Sequence, residues 1–83
     1  MSFNEKEIGE FLIEEAIKGR LNFEVLQTYI DCPPYVNYSE TYGVLWHQVW
    51  HYLADKDICD QDAHYEVVLR KNMFETLSEI DQR

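Results

Sequence analysis

The sequence predicts an all-α fold, a compact bundle of four helices, and three observations predict it. Apolar residues recur at three- and four-residue spacing in four segments, helix-capping side chains stand just ahead of those segments, and the two prolines fall together in one of the stretches between them. The 83 residues suffice for one hydrophobic core and not for two, so residues 1–83 are read as a single helical domain. Hydrophobic residues make up 46% and aromatics 14%, enough apolar surface to exclude disorder over most of the chain. Only five residues are Gly or Pro, and they cluster at places where a helix is expected to stop.

The first helix is expected over residues 3–18. Ser2 followed by Glu5 has the spacing of a capping box, in which hydroxyl and carboxylate each take an orphan backbone N–H. Ile8, Phe11, Leu12 and Ala16 form its apolar stripe, with Glu7, Glu10 and Glu14 between them, and Gly19 supplies the stop. Asn22 caps a second helix over 23–31, with Leu21 and Leu26 placed as a hydrophobic staple and Phe23, Leu26, Tyr29 and Ile30 as its buried face. Cys32, Pro33 and Pro34 end it, because proline has no N–H to give and pushes the preceding residue out of the helical region.

Ser39 caps a third helix over 40–54 carrying Tyr42, Leu45, Trp46, Val49, Trp50, Tyr52 and Leu53. Apolar over more than half its circumference, it is either the centre of the bundle or a core helix whose second stripe faces a partner. Residues 55–62 read as an acidic loop, followed by a fourth helix over 62–80 with Tyr65, Leu69, Met73, Leu77 and Ile80 inward and Val68 beside them. The first, second and fourth helices can then surround the third.

Sixteen acids against seven bases give a net charge of −9, and the imbalance is local. Between Leu21 and Leu69 stand eight acids and only Lys56, so seven of the nine excess negative charges lie there. Direct binding to nucleic acid or to an anionic membrane is disfavoured, since both require a cationic face. A one-signed field speeds encounter with a basic protein and suppresses acidic ones, although it also serves solubility alone. No apolar run approaches the roughly 20 residues that span a bilayer, and the start, Met1 to Glu10, is acidic and polar, so a cytoplasmic location is expected.

Catalytic and metal chemistry finds weak footing. His47, His51 and Asp55 are spaced to share a helix face, yet Gln48, Val49 and Trp50 between the histidines lack the glutamate of a zinc hydrolase. Cys59 and His64 match no zinc module, so no metal or cofactor is expected. Cys59 beside His64 and Asp62 suggests a thiol nucleophile, but Asp57, Asp60 and Asp62 would disfavour the thiolate. Cys32 and Cys59 are read as free thiols, one or both buried, and no enzyme activity is expected. What remains is a surface mixing aromatics with acids: Tyr35, Tyr38, Tyr42, Trp46 and Trp50 with Asp55, Asp57, Asp60, Asp62 and Glu66. Aromatic anchors ringed by carboxylates suit a partner whose basic cleft is built for phosphates. The bland alternative makes the tryptophans core residues and the acids a solvated loop.

In its order of elements the chain resembles the small helical immunity proteins that bacteria make against their own nuclease toxins, similar to the colicin D immunity protein. The likeness lies in a helix ending Ile17-Lys18-Gly19-Arg20-Leu21 with a restart at Asn22-Phe23-Glu24, an aromatic helix through Leu45, Trp46 and Trp50, and an acidic stretch before a last amphipathic helix. The resemblance implies an inhibitor whose acids, from Asp55 to Glu66, block a toxin's RNA-binding cleft. A phage-type nucleic-acid mimic directed at a defence nuclease has the same physical profile. A homodimer pairing through the surplus stripe of the third helix is the reading from a different class.

Overall fold

The computed structural model describes residues 4–80, which are helical throughout apart from short connections and contain no strand. Five helices follow in order: α1 (Glu5–Ile17), α2 (Phe23–Asp31), α3 (Glu40–Ala54), α4 (Lys56–Gln61) and α5 (Ala63–Glu79), with a 3-10 turn at Tyr35–Asn37. The expected acidic loop is therefore a fifth helix, and the expected count of four is corrected. The acids of the Asp55 to Asp62 segment favour a loop, but residues 56–61 contain no Gly or Pro to break a turn. The backbone N–H of Cys59 reaches the Asp55 carbonyl at 2.9 Å and that of Asp62 reaches Ile58 at 2.8 Å, closing the turn at both ends.

The caps explain the boundaries. Asn4 Oδ1 accepts the Glu7 N–H at 3.2 Å and starts α1, while Ser2 of the anticipated capping box lies outside the described residues. Gly19 ends α1 as expected: its φ of +76° is the left-handed conformation that suits glycine, and the Arg20 N–H returns to the Glu15 carbonyl at 2.8 Å. Asn22 accepts the Val25 N–H at 2.8 Å, Ser39 that of Tyr42 at 3.1 Å and Asp62 that of Tyr65 at 3.2 Å, each opening a helix.

Glu5 has a different use from the one its spacing implies. Its carboxylate accepts both the backbone N–H of Ser39 at 2.7 Å and the Ser39 hydroxyl at 2.5 Å. The third residue of α3, where a capping box would carry Glu, is Tyr42. Glu5 supplies that missing carboxylate from α1 and so ties the start of α1 to the start of α3.

Helix α3 is the shared element, packed against α1, α2, α4 and α5. Leu45, Val49, Tyr42 and Tyr52 on it are fully buried, against Leu12, Ile13 and Ala16 of α1, Leu26 and Ile30 of α2 and Met73 and Leu77 of α5. The molecule measures 41 × 27 × 17 Å, so it is a slab about two helices thick and α3 is not enclosed all round. The open side of α3 carries Glu40, Val44, His47, Trp50 and His51.

Several stripes are shifted from their expected positions. On α1 the buried residues are Gly9, Leu12, Ile13 and Ala16, while Phe11 stands out against the Tyr29 ring, 6.0 Å between centroids. Phe23 is exposed, and on α5 Leu69 and Tyr65 are half-buried and Val68 exposed. Gly9 and Gly43 are not stops but sit inside helices. At Gly9 a Cβ would come within 2.5 Å of Leu45 Cδ2 and 3.0 Å of Leu77 Cδ1, so glycine is what allows α1 to approach α3 and α5. Gly9→Val is accordingly expected to lower stability by about 1–3 kcal/mol through overpacking, read as a fall in the urea midpoint at unchanged slope. An unchanged midpoint would show that the three helices can part there without cost.

Candidate functional site

The ten residues expected to form one docking surface fall into three groups. Tyr42 and Trp46 are buried, which corrects their assignment to the surface. The Tyr42 hydroxyl donates to the Tyr29 carbonyl at 2.6 Å, and the Trp46 indole N–H donates to the Leu26 carbonyl at 2.9 Å. Both bonds satisfy polar tips inside the core and hold the last two turns of α2 onto α3. Burial, reinforced by Tyr35, Glu5 and Tyr29, pushes the Tyr42 phenol well above its ordinary range.

Tyr35 and Tyr38 lie before α3. Tyr35 is half-buried against Tyr29, with centroids 5.3 Å apart, and the Tyr38 ring covers Gly43 and tilts against Tyr42 at 5.8 Å. The acids lie at the opposite end of α3. Its 15 residues span about 22 Å at 1.5 Å per residue, so these tyrosines and the acids do not share one patch.

At the acidic end the carboxylates divide by role. Asp55 is half-buried and accepts the Tyr65 hydroxyl at 2.6 Å, which holds that phenol above its ordinary range. Asp62 caps α5. Glu66 accepts the Tyr52 hydroxyl at 2.6 Å and Arg70 Nη2 at 2.9 Å on one oxygen. Asp57 and Asp60 are exposed on α4, with Asp60 3.8 Å from Lys56, a surface pair of small energetic weight. Trp50 joins this end: 39% exposed, its ring tilts over Phe23 at 5.5 Å. A cleft of about 290 Å³ lined by Leu21, Phe23, Leu53 and Lys56 runs from Phe23 to the start of α4. Phe23 is the member that sequence reading misplaced, because its spacing fits the inner face of α2 as well as the outer.

The Glu66 network sets a pH dependence. The Tyr52 phenol first, and then the Arg70 guanidinium, hold the Glu66 carboxyl below its ordinary value. A carboxyl depressed in the folded state contributes stability that is complete above its unfolded value and is lost as the pH falls through the folded one. Tyr52→Phe is therefore expected to flatten the acid side of the stability profile, measured by urea unfolding between about pH 7 and about pH 3. An acid limb as steep as that of the parent protein would assign it to other carboxylates.

Cys59 is buried and Cys32 exposed. Burial first, and then Glu66, raise the Cys59 thiol, with Asp55 and Asp60 adding less, so the cause is desolvation more than the neighbouring aspartates. Among the described residues no three His, Cys, Asp or Glu side chains converge as metal ligands, and no helix is long and apolar enough to cross a membrane. No protein-family model, curated protein or solved structure matches the chain.

Proposed function

We propose that this chain is an acidic protein-binding inhibitor that neutralises a basic nucleic-acid-acting enzyme, in the manner of an immunity protein against a bacteriocin or contact-dependent nuclease toxin in the bacterial cytoplasm. The observation that carries the reading is the exposed acidic helix α4, with Asp57 and Asp60 outward and the Phe23–Trp50 pair linked to its start. Carboxylates on a helix can meet the lysines and arginines of a phosphate-binding cleft, and an exposed tryptophan supplies an anchor. A nucleic-acid mimic directed at a defence nuclease would use the same surface.

A homodimer is the second reading, favoured by Val44 and Trp50 exposed on α3 and by Val67 and Phe74 exposed on α5. The experiment is capture from host lysate on the immobilised protein at low salt, followed by a salt gradient and mass spectrometry. A basic nuclease released only at high salt, and inhibited by added protein, is expected. Self-association that persists in high salt, with no basic protein retained, would replace the inhibitor reading with the dimer.

A further inference from the structure

We infer that the groove between α3 and α5 is a seat for one arginine side chain of a basic partner, an inference that rests on the function proposed above and supplies its anchoring contact. The groove measures about 220 Å³ and is lined by Gln48, His51 and Asp55 from α3 and its end, and by Tyr65, Leu69 and Asn72 from α5. Among the described residues no Lys or Arg lines it.

Three features fit a guanidinium. Among the described residues no donor reaches the buried Gln48 Oε1, an arrangement that costs free energy until the amide turns into the groove and meets a donor. Asp55 is fixed by the Tyr65 hydroxyl at 2.6 Å on one oxygen, and its carboxylate supplies the countercharge. Leu69, half-buried, gives an apolar wall for the aliphatic stem. Arginine offers five N–H donors in a planar fork and sheds its weakly held water readily, so it can serve an amide oxygen and a carboxylate together. A lysine ammonium is more strongly hydrated and brings three donors to one point.

The groove also adjoins the acidic helix. Asp55 ends α3 and begins α4, so an arginine seated there lies at the root of the segment bearing Asp57 and Asp60. The exposed acids attract the partner and the groove gives it register.

The test titrates the full chain, followed by two-dimensional NMR, with an acetyl-Gly-Arg-Gly-amide peptide and with its lysine counterpart. Saturable shifts of the Gln48 and Asn72 side-chain amides with the arginine peptide are expected, larger than with lysine. Gln48→Leu should weaken arginine binding by about tenfold, the effect of removing one hydrogen bond to a charged group. Asn72→Leu, at an exposed position, should weaken it in the same direction even if Gln48→Leu perturbs folding. Equal response to both peptides spread over the α4 acids, or unchanged affinity in both variants, would overturn the inference and leave Gln48 Oε1 to bound water. Capture of a basic nuclease would stand in that case, so the two claims fail separately.

Discussion

Replacing Trp46 with alanine is expected to cost about 3–5 kcal/mol of folding free energy, the range for truncating a buried aromatic side chain. Trp46 is 6% exposed, sits in the core of α3 and donates its indole N–H to the Leu26 carbonyl at 2.9 Å. Alanine would leave a cavity between α2 and α3 and remove that donor together. A domain of this length holds only about 5–10 kcal/mol in total, so the variant should sit near its unfolding threshold. Trp50→Ala, four residues on, should cost less, about 2 kcal/mol, from its partial burial and its exposed aromatic pair with Phe23. Urea unfolding of the two variants side by side checks the assignment. Similar losses at both positions would mean that the two tryptophans are not divided between core and surface.

Reversing Asp57 and Asp60 to lysine is expected to slow association with a basic partner by about tenfold or more while leaving the fold nearly as stable. Each substitution exchanges a negative for a positive charge, a change of two, so the pair moves the net charge from −9 to −5. Both side chains are exposed, and Asp60 gives up only a 3.8 Å surface pair with Lys56. The loss should therefore appear in the association rate and shrink in high salt, where a Debye length of a few ångströms screens exposed charges. Stopped-flow association across a salt series measures it. Unchanged rates with a lowered melting point would make these acids structural.

Much of the fold was legible because its punctuation is local. Asn22, Ser39 and Gly19 act through hydrogen bonds or a backbone conformation within a few residues, so their spacing alone marks where helices start and stop. The bond of Glu5 to Ser39 is not legible because its partner stands 34 residues away, and no local rule reaches that far. The use of Gly9 is hidden for the same reason: it is the approach of Leu45 and Leu77 from other helices. The acidic stretch hid α4, since a helix of six residues has too few turns for periodicity to show.

The site was legible in composition and not in placement. The segment's acidity pointed to α4, but only tertiary contacts turn Trp46 inward and Trp50 outward on one helix. A position on a helix that is apolar over most of its circumference does not say which stripe faces the core. Gln48 and Asn72 carry no signal in the sequence, because their relation depends on how α3 and α5 face each other.

The most direct test of the central claim is a competition assay on the captured basic enzyme: binding to, and cleavage of, its nucleic-acid substrate with increasing amounts of this protein. An acidic inhibitor seated in the phosphate-binding cleft should abolish both at equimolar protein, with the effect weakening as salt rises. Simultaneous binding of substrate and protein, or inhibition indifferent to salt, would contradict the claim.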